Sequence, residues 1–585
     1  MVKFSGIFDK YARFIEEKQL LNREYWQLFV EQYRSNVDDN DVGWRCEYFG
    51  KMMRGASLTY HYTQNEELYE ILTSTAEDML TTQDQNGRFS TYSQEAEFDG
   101  WDIWGRKYVL LGFLHYCDIC RDEDLKARIM KALEKHLDYI VDRVGEGDGQ
   151  KPIHKTARHW LCINSSSILE PTLRMYKHVG HKRYLEFAEY IIDYLFNGAP
   201  KIFKLAEENE LDPHQYPVVK AYEMMSCFEG LIEYYEITGD KRYLTICENF
   251  AERVRNSEIS IIGCAGCCHE LFNNTVATQT DASYPNIMQE TCVTVTWMKF
   301  CDRLLRHTGD SKYADEIERS AYNALYGAVN TEDCLTVKND KFVFDSYSPL
   351  FLRPRGRGAG GYKNIADGIY FGCCVAIGAH ATAMMPLYAV KPCSDGITVD
   401  FYENGKAEFD GFAIEIETKY PTNGDVKVTV INAPETDKTI KLRVPYFSKN
   451  TKLTVCGDNV LVDGTGYVNI RRKWQSGDIV EMKLDMNPRV LHPIGMEEKP
   501  ETKNFIAVMY GPLTLARDSR VDSVDNPVFK VDNVVITPCD KNGFKCELMA
   551  DVTFGHKTVK MIDYMSAGKV WHDSLTEAWL PIITD

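Results

Sequence analysis

The chain has 585 residues and a formal net charge of −19 at pH 7, with 44% hydrophobic and 12% aromatic residues. This length exceeds what a single hydrophobic core supports, so two or three domains are expected, and the apolar content excludes a disordered protein. The negative charge argues against nucleic acid or an anionic membrane as a partner, because both would repel the protein.

The first 21 residues, MVKFSGIFDKYARFIEEKQLL, carry charges throughout and predict an amphipathic helix rather than a signal peptide. The longest apolar stretch, 375–390, is short for a membrane span and contains His380. The 18 cysteines are spread along the chain, which fits a reducing compartment. We therefore expect a soluble cytoplasmic protein, and a homodimer stays open as its assembly.

A degenerate repeat runs through the helical first two-thirds of the chain. Five similar segments each open a helix after a polar turn, and their aligned positions are Leu68, Leu125, Tyr184, Tyr243 and Tyr313. The intervals of 57, 59, 59 and 70 residues are each long enough for a helical hairpin. Glycine in three of the preceding turns suits the left-handed end of a helix: Gly180, Gly239 and Gly309. Five hairpins and one less regular pair predict an (α/α)6 barrel, a toroid with its loops gathered at one mouth.

After residue 390 the pattern changes to alternating apolar and polar residues between turn residues, as in GITVDFY and DVKVTVINA. This alternation is typical of strands in a β-sandwich. The run NFIAVMYGPLTLARD predicts a further strand pair, and strand-like segments continue to EAWLPI near the C-terminus. We therefore predict a barrel domain over residues 1–390, a β-sandwich over 391–517 and a small second β-module over 518–585.

Two short segments, Glu290-Thr291-Cys292 and Cys373-Cys374, together offer three thiols and a carboxylate. Such donors are the ligand set of a tetrahedral zinc site. Adjacent cysteines rarely bridge to each other, because the bond would strain disulfide geometry. The alternative is that the pair packs as two small buried residues at the start of a helix. No standard ligand spacing such as C-x2-C recurs here, so the spacing alone is a weak pattern.

Several segments resemble glycoside hydrolase family 127 and, more distantly, family 146, whose known activity is that of a β-L-arabinofuranosidase. The similar segments are QDQNGRFSTY, the ETC motif, RSAYNALYG, the cysteine pair followed by a helix, YGPLTLARD and AWLPI. The resemblance implies an (α/α)6 barrel followed by β-sandwich domains. It also implies one zinc ion, held by Glu290, Cys292, Cys373 and Cys374.

The same resemblance implies a catalytic pair, with Cys373 as the nucleophile and Glu270, in the segment CHELF, as the acid/base. A retaining glycosidase needs a nucleophile on one face of the anomeric carbon and a proton donor on the other. A thiol is mostly protonated at neutral pH, and zinc coordination removes that proton. Without catalysis, Glu270 would be an ordinary carboxylate at a helix start or on the surface.

The sequence departs from the family pattern around the expected sugar, which makes the chain a divergent member. Trp101, Asn164 and Glu223 fall at or near the places of three family histidines. Tyr347 matches a family stretch close to the thiolate, and further candidates for sugar contacts are Trp104 and His269. As aromatic or charged residues on inner helices, several of these also suit a core or a satisfied ion pair.

Two other features stay outside this scheme. Cys264, Cys267 and Cys268 form a C-x2-C-C pattern that suits a second metal or a regulatory disulfide, although incidental cysteines are the preferred interpretation. They lie in the segment 264–290, where the last repeat interval is longer than the others. The basic segment 353–358 is typical of a solvated loop, or it receives an anionic group of a substrate.

These observations predict a zinc-dependent retaining exo-glycosidase that releases β-L-arabinofuranose from small oligosaccharides or glycoconjugates. A second hypothesis keeps this mechanism but changes the sugar to another furanoside or an acidic branched sugar, since the histidines are replaced. A third is a non-catalytic sugar-binding protein with a structural zinc ion. Glu270 together with an intact cysteine pair argues against the third.

Overall fold

The structure, a computed structural model, describes residues 2–266, 268, 270–283, 289–330, 343–344, 350–354, 361–524, 534–569 and 574–582. Two residues expected at the sugar, His269 and Tyr347, lie outside the described residues. The same holds for Cys267 and for residues 355–358 of the basic segment.

Helices dominate the first 390 residues. The α-helices are α1 (Ile7–Ile15), α2 (Arg23–Glu31), α3 (Tyr48–Thr63), α4 (Glu66–Leu80), α5 (Asp102–Cys117), α6 (Glu123–Val141), α7 (Ile163–Ser166), α8 (Leu169–Val179), α9 (Lys182–Asn197), α10 (Ile202–Glu208), α11 (Ala221–Thr238), α12 (Lys241–Ser257), α13 (Thr275–Thr278), α14 (Thr291–Thr308), α15 (Ser311–Arg319), α16 (Tyr326–Ala328) and α17 (Cys373–Ala389). A π-helical segment, Glu16–Leu20, extends α1, and another, Ser320–Leu325, joins α15 to α16. No helix in the described part of the chain is both long and apolar enough to cross a membrane.

Six of these helices form a closed inner ring. In the order α3, α5, α8, α11, α14 and α17, each packs on the next, and α17 packs back on α3. The outer helices α4, α6, α9, α12 and α15 pack on α3, α5, α8, α11 and α14, and α1 packs on α17. This arrangement confirms the (α/α)6 toroid, and the less regular sixth pair joins the N-terminal helix to the last inner helix.

The sequence repeat marks the outer helices. Each of the five aligned positions is the third residue of its helix, in α4, α6, α9, α12 and α15. The polar turns before four of them provide N-caps, because a side chain of Asn65, Asp122, Asp240 or Asp310 accepts a hydrogen bond from the first helical turn. The three predicted glycines end the inner helices α8, α11 and α14 in the left-handed conformation, with φ of 72°, 69° and 67°.

Strands follow the toroid, apart from β1 at the N-terminus and three strands before α17. The strands are β1 (Val2–Phe4), β2 (Arg353–Pro354), β3 (Tyr362–Ala366), β4 (Ile369–Gly372), β5 (Val390–Cys393), β6 (Gly396–Val399), β7 (Gly405–Phe409), β8 (Phe412–Thr418), β9 (Asp425–Asn432), β10 (Lys438–Val444), β11 (Lys452–Val455), β12 (Asp458–Val460), β13 (Gly466–Arg472), β14 (Ile479–Lys483), β15 (Arg489–Leu491), β16 (Phe505–Tyr510), β17 (Leu513–Asp518), β18 (Val534–Pro538), β19 (Met549–Phe554), β20 (Lys557–Asp563), β21 (Leu575–Glu577) and β22 (Leu580–Pro581).

Two sheets make the first β-region. One has the order β1-β7-β8-β9-β14-β11-β12 and the other the order β13-β10-β6-β5. Residues such as Ile414 on β8 and Leu442 on β10 belong to one hydrophobic core, as expected for a sandwich. The N-terminal strand β1 pairs with β7 in the register Val2 opposite Ala407, so the predicted amphipathic helix begins only at Ile7.

The C-terminal sheet has the order β15-β16-β17-β20-β19-β18, and β2, β21 and β22 pair at its sides. The expected strand pair at 504–518 is β16 and β17, which are antiparallel neighbours. Strand β17 crosses the expected boundary at 517 and pairs with β20, so its sheet partners lie on both sides of that boundary. The domain limits at 390 and 517 stay predictions.

A buried arginine connects the sandwich to the toroid. Arg443 on β10 donates to Asp315 on α15 at 2.6 Å and to Glu318 at 2.5 Å. Its guanidinium also donates to the carbonyl of Asp400. The arginine side chain is completely buried, and two carboxylates therefore compensate its charge inside the interface.

Candidate metal centre and active-site cavity

The sequence-predicted metal ligands lie at the starts of two neighbouring inner helices. Glu290 is the N-cap residue of α14, and Cys292 is the second residue of that helix. Cys373 and Cys374 are the first two residues of α17. The backbone N–H of Cys373 donates to the carbonyl of Gly361 at 3.0 Å, which fixes the first turn of α17.

The four side chains form a compact buried cluster. The Cys374 sulfur lies 3.3 Å from Glu290 Oε1 and 3.5 Å from the Cys292 sulfur, and the Cys373 sulfur lies 3.7 Å from Glu290 Oε1. All four ligand atoms lie within 4.8 Å of one another. Ligands at 2.0–2.3 Å from a tetrahedral ion are separated by about 3.3–3.8 Å, so these donors are spaced for a single ion. The cluster can hold one metal ion.

Burial disfavours charge on these thiols unless a cation is present. It raises the pKa of the Cys292 thiol well above its usual value. Two features of the protein favour the thiolate forms instead. One is the pair of helix starts, whose N–H groups favour anions, and the other is the buried ammonium of Lys51. A bound metal ion would supply the remaining stabilisation, because it binds the thiolate form.

A cavity of about 380 Å³ lies against this cluster, with Glu290 and Cys373 in its lining. Its aromatic wall consists of Trp44, Trp101, Trp104, Trp160 and Tyr222. Its other charged lining residues are Glu47, Lys51, Lys220, Glu223 and Glu270. Apolar walls with a few fixed polar groups are typical of sites for small ligands.

The tryptophans are held by contacts with each other and with a buried ion pair. Trp101, the N-cap residue of α5, contacts Trp104 at 5.9 Å and Trp44 at 6.2 Å between ring centroids. The indole N–H of Trp104 donates to the Glu47 carboxylate, which also binds Lys51 at 2.8 Å. These contacts hold Trp44, Trp101 and Trp104 in one arrangement along the cavity wall.

Glu270 reaches the cavity from the loop between α12 and α13. The backbone of this loop pairs with the segment before α11, where Lys220 lies opposite Leu271 and Ala221 N–H donates to the Glu270 carbonyl at 2.8 Å. The Lys220 ammonium contacts the Glu270 carboxylate and lies 3.8 Å from Glu223 Oε1. Burial raises the pKa of Glu223, whose side chain is almost completely enclosed.

Most of the sequence-predicted residues meet at this cavity. Trp101, Trp104, Glu223, Glu270, Glu290 and Cys373 all line it. Asn164, expected to touch the sugar, is not among the lining residues. Its side chain is fully buried and donates to the carbonyl of Gly100 at 3.0 Å, so it supports the turn before Trp101 instead.

Cys264 and Cys268 do not join the metal cluster. The Cys264 thiol donates to the backbone carbonyl of Glu290 at 3.5 Å, which places it behind the cluster as a supporting side chain.

Sequence reasoning missed several cavity residues: Trp44, Glu47, Lys51, Trp160, Lys220 and Tyr222. One signal was available for two of them, because Glu47 and Lys51 are four residues apart at the start of a largely apolar helix. An i,i+4 pair in such a setting indicates a buried ion pair. Of the remaining residues, Tyr222 is the second residue of α11, and the others lie in turns with no pattern of their own.

Together the fold and the site define a helical toroid in which an aromatic cavity lies against a thiol-rich cluster that can hold a metal ion. Residues 8–386 match the family model described as "Beta-L-arabinofuranosidase, GH127 catalytic domain", and residues 396–486 match the GH127 middle domain. The chain belongs to glycoside hydrolase family 127.

Individual relatives are distant in sequence. A "Non-reducing end beta-L-arabinofuranosidase" of Bifidobacterium longum subsp. longum is 24% identical over 397 residues, 60% of this chain. The match spans 56% of the length of that relative. A solved GH127 beta-arabinofuranosidase superposes with a TM-score of 0.77 at 20% identity, over 100% of this chain and 96% of the other. A GH127 beta-L-arabinofuranosidase from Geobacillus stearothermophilus T6 gives 0.73 at 17% identity, over 100% of both chains.

Proposed function

We propose that this protein is a retaining exo-acting glycoside hydrolase that releases β-L-arabinofuranose from small oligosaccharides or glycoconjugates. The observation that carries the proposal is the position of Cys373, which belongs both to the metal cluster and to the lining of the cavity. Glu270 lines the same cavity and provides a carboxyl group for proton transfer. Membership of the family and the activity named for the Bifidobacterium relative support this choice of sugar.

Zinc is the proposed metal, because three soft thiolates suit this borderline-soft ion, which also accepts a carboxylate oxygen as its fourth ligand. Glu290, Cys292, Cys373 and Cys374 would hold it, and its contribution would be to keep the thiols deprotonated at neutral pH.

In the proposed reaction, the Cys373 sulfur attacks the anomeric carbon while Glu270 donates a proton to the departing oxygen. A C–S bond forms as the C–O bond breaks. Glu270, now a carboxylate, then accepts a proton from a water molecule that attacks the same carbon and releases the sulfur. Two inversions at one carbon give overall retention of configuration.

The cavity also supports cleavage at a chain end. Its volume of about 380 Å³ lies at the lower end of the range for ligand pockets, roughly 300–1,000 Å³. Such a volume suits one sugar ring and part of its leaving group. The tryptophans would pack on the apolar faces of the ring and exclude water from the sulfur.

A second candidate is the same mechanism on another furanoside or an acidic branched sugar. The observation in its favour is that Trp101 and Glu223, which fall at or near the places of two family histidines, both line the cavity. The third candidate, a sugar-binding protein with structural zinc, requires that Glu270 and Cys373 have no chemical role. A monomer or a homodimer suits any of these.

A panel of nitrophenyl furanosides and pyranosides, assayed with zinc-loaded protein, tests the proposal. We expect the largest kcat/KM on the β-L-arabinofuranoside, and NMR should show the product first in the retained configuration. A clear preference for a different glycoside would favour the second candidate. Zinc-loaded protein that binds sugars without cleaving any of the panel would favour the third, and an inverted product would exclude Cys373 as the nucleophile.

A further inference from the structure

Lys220 joins two carboxyl groups in the cavity wall. It immediately precedes α11, and its ammonium contacts the Glu270 carboxylate while lying 3.8 Å from Glu223 Oε1. Its side chain is only 10% exposed and lies over the ring of Trp160 at 5.4 Å. Backbone pairing between Lys220 and Leu271 sets the distance between the two segments. The ammonium and the Glu270 carboxylate are therefore held together by the backbone and by the burial of both side chains.

The single ammonium of Lys220 cannot balance both Glu223 and Glu270 if both carboxyl groups are ionised. Glu223 is almost fully buried, and its Oε2 has no hydrogen-bond partner among the described residues. The charged groups that face it are Lys220, Lys51 and Glu47, and Lys51 is already bound to Glu47 at 2.8 Å. Burial favours the neutral form of Glu223. While Glu223 is neutral, the Lys220 ammonium is committed to Glu270.

We propose that Lys220 is a positioning residue that holds Glu270 as the proton acceptor of the second chemical step, and that Glu223 competes for the same ammonium. This inference rests on the proposed glycosidase function. An ammonium in contact with a carboxylate favours its ionised form, which is the form that must accept a proton from water. The first step needs the protonated form of Glu270, which contact with the Lys220 ammonium does not favour.

The two steps can be separated by the choice of substrate. With a nitrophenyl leaving group, the first step needs little proton donation, so the second step limits kcat. In the second step, water attacks the anomeric carbon, the C–S bond breaks, and the water proton passes to Glu270. Azide can replace water as the attacking group, and because it carries no proton it needs no acceptor.

Lys220→Met is the central variant. We expect kcat on the nitrophenyl substrate to fall about tenfold, a part of the roughly 10²–10⁴-fold that proton transfer contributes, while kcat/KM changes by less than about threefold. Azide should restore kcat and give the glycosyl azide as product. Lys220→Arg, which keeps the charge, should recover most of kcat. Lys241→Met is the matched control, because this lysine is exposed at the start of α12, and it should behave as the wild type.

Glu223→Gln tests the competition. In the wild type, Glu223 ionises as the pH rises through its raised pKa, draws the ammonium towards itself, and thereby lowers kcat. Glutamine keeps the shape and cannot ionise, so this decline of kcat should be absent in the variant.

Three outcomes would overturn the inference. Equal losses in kcat and kcat/KM for Lys220→Met without azide rescue would show a merely structural lysine. An unchanged pH profile in Glu223→Gln would remove the competition. A Lys220→Arg variant as slow as Lys220→Met would exclude a role for the charge. A wild-type protein that cleaves none of the glycosides would instead refute the proposed function itself.

Discussion

Loss of a single thiol from the metal cluster should release most of the bound zinc. Cys374 is fully buried and lies within 3.5 Å of both Glu290 and Cys292, so Cys374→Ala removes one donor of four without opening the site to water. Structural zinc binds with roughly 10–16 kcal/mol at neutral pH, or about 2.5–4 kcal/mol for each of four ligands. At 1.4 kcal/mol per factor of ten, the affinity should fall by about 10²–10³-fold.

The measurement is a competition titration against a chromophoric zinc chelator, with elemental analysis of the purified proteins. Cys301→Ala provides the matched control, because Cys301 is equally buried on α14 and lies outside the cluster. Wild type and control should each retain about one zinc per chain. If Cys374→Ala binds zinc within threefold of the control, the four-ligand site is wrong. Wild-type protein that contains no metal after purification without chelators would refute it equally.

Three further predictions concern catalysis and stability. Cys373→Ser should reduce kcat by more than about 10³-fold even with metal bound, because a hydroxyl is far harder to ionise than a thiol; progress curves and zinc content measure this together. Glu270→Gln should slow glycosides with poor leaving groups about 10²–10⁴-fold and nitrophenyl glycosides much less in kcat/KM. Equal losses on both would argue against proton donation. Arg443→Met should lower the free energy of unfolding by about 3–5 kcal/mol, because it leaves the buried carboxylates of α15 uncompensated. The control, Arg471→Met, replaces an exposed arginine and should change that free energy by less than about 0.5 kcal/mol. Urea titrations measure both.

The fold could be predicted because its signals are local and repeated. Four of the five outer helices that carry the repeat begin with a polar N-cap, and three inner helices end in a left-handed glycine, so the hairpin period is visible without any contact information. The N-terminal strand was missed for the opposite reason. Val2–Phe4 is three residues long and owes its conformation to pairing with β7, which lies about 400 residues further along the chain.

The metal cluster could be located from sequence because its residue types are rare and chemically specific. The cavity wall could not be located from sequence, because tryptophan is equally common in a hydrophobic core and lysine in an ion pair. Trp160 lies in a short 3₁₀ turn before α7, and Lys220 in the turn before α11, with nothing in either turn to indicate a site. Asn164, a polar residue expected at the sugar, is buried and donates to a backbone carbonyl, a contact that its position in the sequence does not indicate.

The direction of the inner helices explains why the site lies at this mouth of the toroid. Site residues come from the beginnings of inner helices: Glu47 and Lys51 at α3, Trp101 and Trp104 at α5, Lys220 and Glu223 at α11, Glu290 at α14 and Cys373 at α17. Helix starts carry partial positive charge, which favours thiolates and carboxylates. A second cavity is lined from the later parts of the inner helices by basic residues such as Arg303 and by acidic residues such as Glu233, so its charges are mixed. Helix polarity therefore favours thiolates and carboxylates at the mouth that holds the site, and the glycines that end three inner helices mark the other mouth.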